Sequence, residues 1–145
     1  ELFWGAYQNN AQFCNSIKRL YIHEDVYDDV RDALVEFAKG VKVGNGANAD
    51  TELGPIQNLP QYEKVNDYID NCKENGHKFA LGGEVDKNAE GWFIPITIVD
   101  NAPEGVRYLC KDENNIDKCF VEFCVGSRFD NLKDCENERL SLLQM

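Results

Sequence analysis

Cys14 lies in the run Phe3-Trp4-Gly5-Ala6-Tyr7-Gln8-Asn9-Asn10-Ala11-Gln12-Phe13-Cys14-Asn15-Ser16, just ahead of the β-branched and aromatic stretch Ile17-Lys18-Arg19-Leu20-Tyr21-Ile22-His23. A thiol attacks an electrophile only as thiolate, so a nucleophilic Cys14 needs a lowered pKa, which backbone N–H groups or a helix terminus can supply. Gln12 and Asn10 are the polar neighbours that could orient it. The bland alternative is a buried, inert thiol, a common fate of cysteine, with polar residues that merely occupy a turn. The two histidines, His23 and His77, are distant from Cys14 along the chain. A Cys–His dyad would therefore need the fold to assemble it. Six cysteines, at 14, 72, 110, 119, 124 and 135, form no CxxC pair and no zinc spacing, which points to free thiols in a reducing compartment.

The elements that would carry this thiol can be read from periodicity. Residues 2–13 read as a helix or ordered turn ending at the cysteine, and residues 17–23 as a strand. Asp25 is the expected N-cap of an amphipathic helix whose apolar stripe is Val26, Tyr27, Val30, Ala33, Leu34, Phe37 and Ala38, closed by Gly40. Residues 44–50 form a Gly/Asn/Asp loop. Pro60 fits the first turn of a second helix with Tyr62, Val65, Tyr68, Ile69 and Cys72 on its apolar side, stopping at Gly76. Residues 78–81 and 93–99 read as strands, Pro95 confining the latter to an edge or bulge. Residues 120–125 read as a further strand and 131–145 as an exposed helix or tail. Alternating helices and strands predict an α/β domain of three layers with a largely parallel sheet.

At 145 residues the chain has the length of one ordinary domain, and 43% hydrophobic residues fit a globular protein. A net charge of −11 disfavours nucleic acid or an anionic membrane as partner, because both need a cationic surface. The acid is spread along the chain, as on a solvated surface. No apolar run approaches the roughly 18 residues of a membrane span, and no signal peptide is visible. The expected location is cytoplasmic. With Glu1 first and Met145 as its single methionine, the chain reads as a fragment, a processed product or an incomplete gene model.

The stretch around Cys14 resembles the catalytic-cysteine region of the aldehyde dehydrogenase superfamily, where Gly-Gln-x-Cys precedes a Lys-Arg strand. Here the motif is Ala11-Gln12-Phe13-Cys14, with Ala in place of Gly. The likeness continues through Ile17 to Asp28, Val43-Gly44-Asn45-Gly46, Thr51-Glu52-Leu53-Gly54-Pro55-Ile56-Gln57-Asn58, Phe79 to Gly83 and Gly91 to Val99. Residues 1–106 thus resemble part of that family's catalytic domain, and residues 107–145 diverge from it. The family continues with two acidic residues and Phe-Gly-Pro. This chain has Asp112-Glu113 followed by Asn114-Asn115.

The resemblance implies that Cys14 attacks an aldehyde carbonyl to give a thiohemiacetal. Hydride then leaves for NAD or NADP, and water hydrolyses the thioester to the acid. It also implies an oxyanion held by the Cys14 N–H and a side-chain amide from elsewhere, and Asp112 as a cofactor-binding candidate. The family's glutamate base and dinucleotide-binding fold precede such a segment, and this sequence carries no Gly-rich strand–turn–helix. The isolated chain is therefore expected to bind no NAD(P) and to be inactive or nearly so. Expected partners are a small-molecule aldehyde and, by homo- or hetero-oligomerisation, other chains of the family. The alternative is a non-enzymatic truncated relative acting as an interaction or regulatory partner.

Overall fold

A computed structural model describes residues 1–102, 122–125 and 139–143, the last two segments as backbone strands. The chain opens with helix α1 (Leu2–Tyr7) and a single irregular turn (Gln8–Ala11), followed by strand β1 (Arg19–Ile22). Helix α2 (Tyr27–Lys39) ends at Gly40, and α3 (Leu59–Glu74) ends just before Gly76, whose φ is +69°. Strands β2 (Lys78–Leu81), β3 (Thr97–Asp100), β4 (Glu122–Val125) and β5 (Arg139–Leu143) complete the described elements.

Both long helices form where the apolar spacing of three and four residues places them. The α3 start is fixed by Asn58, whose side chain accepts the Gln61 N–H at 2.9 Å, with a proline in the first turn. At α2 the expected Asp25 cap is absent, and no side chain caps the helix at Val26. The His23 Nδ1 accepts the Asp25 N–H at 3.3 Å, residues Glu24–Val26 make a 3₁₀ turn, and the helix proper begins at Tyr27. Asp25 sits inside that turn, so its carboxylate is not the cap.

The strands form one sheet in the order β2-β3-β5-β1-β4. β1 pairs parallel with β4, whereas β1 with β5, β3 with β5 and β2 with β3 are antiparallel. The largely parallel sheet expected from helix–strand alternation is thus corrected for the described strands. β1 and β3 do run in the same direction, but β5 returns between them in the opposite sense. Residues 139–143, expected in a helix or tail, are this central strand. β3 also starts later than expected: Pro95 lies before it, free of the ladder, so an interior strand tolerates the proline nearby.

Successive β3 residues face opposite ways. Ile98 joins a core cluster with Phe3, Ala6 and Tyr7 of α1, Leu20 and Ile22 of β1 and Leu34 and Ala38 of α2. Val99 joins Cys72 of α3 and Ala102, while Val65 and Ile69 of α3 pack with Ile56 and Ile94. Helices α1 and α2 therefore cover one face of β3 and α3 the other. Each fully buried aliphatic side chain contributes roughly 1.5–3 kcal/mol of transfer free energy.

Candidate functional site

The residues ahead of Cys14 leave the helix at Tyr7 and enter an uncommon conformation. Asn9, Asn10 and Ala11 have φ of +51°, +55° and +58°. Asparagine visits this left-handed region with modest cost, but Ala11 carries a Cβ penalty of about 1–2 kcal/mol. Three such residues in a row persist only where surrounding contacts over-determine them.

Those contacts come from the polar side chains of the same loop. Asn10 is 3% exposed, and its Nδ2 donates to the carbonyls of Gly54 at 2.7 Å and Pro55 at 3.1 Å. Gln12 uses both ends of its amide: Oε1 accepts the Gln57 N–H at 2.7 Å, and Nε2 donates to Asn9 O at 3.1 Å and Pro55 O at 3.4 Å. The receiving segment is itself seated. Leu53 and Ile56 are each 2% exposed, the Gly44 N–H donates to Leu53 O at 2.9 Å and the Ile56 N–H donates to Trp92 O at 2.8 Å. The Asn10 Oδ1 is buried with no hydrogen-bond partner among the described residues, so this amide is placed for its donors.

A second brace lies on the strand side of the cysteine. Ser16 is buried, and its hydroxyl donates to Ala11 O at 3.1 Å. The Lys18 ammonium donates to the same carbonyl at 3.3 Å and also to the Ser16 hydroxyl. The loop is thereby closed at its base, and Cys14 stands at its exposed turn as a free thiol. Behind it, Tyr7 is fully buried and donates through its hydroxyl to Thr97 O at 2.6 Å, which ties the loop's root to β3. Burial raises the Tyr7 pKa well above the usual phenol range.

Of the residues singled out in the sequence, Cys14, Gln12 and Asn10 share this one loop. His23 caps the turn before α2, and His77 follows α3 with its backbone N–H donating to Cys72 O at 2.9 Å. Asp112 lies outside the described residues. Sequence reasoning missed Ser16 and Lys18, for which no local signal exists. It also gave no role to Gly54-Pro55-Ile56-Gln57, although that patch carried part of the family likeness.

A separate cleft of about 530 Å³ opens between α1 and α2, lined by Leu2, Phe3, Val30, Ala33, Leu34 and Phe37, with Glu1 and Asp29 also on its wall. Phe37 is 51% exposed beside the Phe3 ring, 5.2 Å between centroids. No described helix is long and apolar enough to cross a membrane, and no cluster of His, Cys, Asp or Glu suited to a metal ion occurs among the described residues.

Comparison with known proteins places these features in a family. The model of the aldehyde dehydrogenase family matches residues 1–113. A probable aldehyde dehydrogenase of a Pseudomonas species is 40% identical over 110 residues, covering 73% of this chain and 22% of that protein. A 1-pyrroline-5-carboxylate dehydrogenase of Bacillus cytotoxicus is 40% identical over 126 residues, covering 87% of this chain and 24% of the relative. Among solved structures, an aldehyde dehydrogenase from Bacillus cereus in complex with NAD+ superposes with a TM-score of 0.70 at 30% identity, covering 92% of this chain and 26% of that one. The chain thus spans about a quarter of the length of the relatives it matches. A family model over 113 of 145 residues, relatives at 40% identity and a shared fold lead to one conclusion: the chain belongs to the aldehyde dehydrogenase family.

Proposed function

We propose that Cys14 is the nucleophile of an NAD- or NADP-dependent aldehyde dehydrogenase of which this chain carries one part. The observation that supports it most directly is the exposed Cys14 thiol, held at the tip of a braced loop in the family's cysteine motif. In this reading the Cys14 thiolate forms a C–S bond to the carbonyl carbon of a small-molecule aldehyde. The carbonyl π pair moves to oxygen, and a proton from solvent completes the thiohemiacetal. Oxidation of that adduct to the acid requires a dinucleotide and a base.

The described residues do not fit a dinucleotide. The first turn of α2 carries Asp28 and Asp29, which repel a pyrophosphate, and the first turn of α3 holds a proline and gives its Gln61 N–H to Asn58. In this reading the isolated chain is inactive in aldehyde oxidation, and Asp112 is a candidate cofactor contact. The apolar cleft between α1 and α2 supports association with other chains of the family, homo- or hetero-oligomeric, as part of the same reading. The free, exposed Cys14 thiol is in keeping with a reducing, cytoplasmic setting.

Competitive labelling with a limiting dose of iodoacetamide, mapped by peptide mass, tests the assignment. Cys14 is expected to be modified first among the six cysteines. Faster modification of any other in the folded protein would remove Cys14 from the role.

A further inference from the structure

We infer that Asn10 and Gln12 are positioning residues for the Cys14 thiol, acting by clamping its loop to the backbone of residues 54–57. The inference rests on the reading of Cys14 as nucleophile and concerns how the fold sets it. Two side chains make four hydrogen bonds across the gap: Asn10 to Gly54 O and Pro55 O, Gln12 to Pro55 O and from the Gln57 N–H. The span is 43 to 45 residues along the chain, so the contact is tertiary and owes nothing to helix propensity.

Gln12 is two residues from Cys14, and the intervening backbone leaves little slack. Its amide is read at both ends, as acceptor for an N–H and donor to carbonyls, and no other side chain of that length reproduces both functions. The left-handed run at Asn9, Asn10 and Ala11 requires restraint from outside the run, and the clamp supplies it at Asn10. Ser16 and Lys18 brace the other side of the loop through Ala11 O. The thiol is thus set from two sides, and the 54–57 segment acts as the anvil on which its position is defined.

The test follows the pH–rate profile of Cys14 alkylation by iodoacetamide in the full chain, with buried Cys72 as the internal report of folding. Gln12→Met keeps length and removes both hydrogen-bonding functions, and Asn10→Ala removes the buried clamp. Each is expected to change the Cys14 rate about fivefold, the equivalent of one net hydrogen bond, and to displace the midpoint of its pH profile while Cys72 stays protected. A purely structural role would leave the midpoint in place. A Gln12→Met profile that superimposes on the parent, with Cys72 protected, overturns the inference. Should Asn10→Ala loosen the whole fold and expose Cys72, the part-exposed Gln12 position still decides. If Cys14 is not the fastest thiol in the parent chain, the assignment of the nucleophile fails first, and the two failures are told apart.

Discussion

Cys14 and Cys72 are the same residue type with opposite surroundings. Cys14 rides on an exposed turn held by polar side chains that reach distant backbone. Cys72 is wholly buried on α3 against Val99 and Ala102. The first region keeps its shape through directional bonds at a few atoms, and the second through apolar contact spread over many. Hydrogen bonds of the first kind can be deleted one at a time without collapsing the core, whereas losses in the second kind are felt as cavities. A thiol that must meet a substrate is better served by the former, since a packed position would exclude the substrate.

The largest change should come from breaking the packed side. Ile69, 1% exposed on α3, one turn before Cys72, loses most of its contacts in Ile69→Ala. The expected cost is about 2–5 kcal/mol by denaturant unfolding. Cys72 alkylation should accelerate while the Cys14 rate stays near its parent value. Equal acceleration of both thiols would show that the two regions open as one unit.

Tyr7 joins the two regions, since it roots the Cys14 loop and bonds to the strand that covers Cys72. Its phenol is held neutral by burial, so the folded pKa lies above the unfolded one. Below about pH 10 both states are protonated, and the group adds no pH dependence. Above it the unfolded state releases the proton first, so stability should fall with pH by up to about 1.4 kcal/mol per unit. Urea midpoints measured from pH 8 to 11 check this, and Tyr7→Phe should flatten the decline. A decline unchanged in that variant would assign it to other groups.

Ala11→Gly sharpens the comparison on the polar side alone. Removing the Cβ from a residue with φ of +58° relieves about 1–2 kcal/mol of strain, partly offset by roughly 0.5–1 kcal/mol of extra chain entropy in the unfolded state. A net gain of somewhat under 1 kcal/mol in thermal or urea unfolding is expected. A loss would mean that the left-handed run costs less than this.

The smallest stability change is expected for Phe37→Ser, within about 0.5–1 kcal/mol because the ring is half exposed. Its readout is association. If the cleft between α1 and α2 mediates contact between copies, sedimentation velocity across a concentration series should show less association in the variant. Identical concentration dependence would place the contact elsewhere.

Much of this was legible in the sequence, and the division is physical. The α2 helix with its stop at Gly40, the Pro60 start, Cys72 on the buried face of α3 and the 78–81 strand are local patterns of period 3.6 or 2, and they appear where the spacing puts them. Of the expected α2 stripe, however, Tyr27, Leu34 and Ala38 are buried, whereas Val26, Ala33 and Phe37 are exposed. The family likeness was legible too, because it rests on residue identity in order. The His23 cap was missed because it serves a 3₁₀ turn that precedes α2, where the ring nitrogen at the end of β1 accepts the Asp25 N–H.

What only the tertiary structure decided are the contacts between residues far apart along the chain. The β5 strand between β1 and β3 reverses the expected sheet pattern, since strand order depends on which edges meet and not on the alternation of elements. The clamp from Asn10 and Gln12 to Gly54–Gln57 spans more than 40 residues, and neither end announces its partner. Sequence alone named the thiol and its family motif. The fold decided that the thiol is exposed, that its loop is left-handed, and which backbone holds it, because these depend on hydrogen bonds whose donors and acceptors meet only after the core has closed.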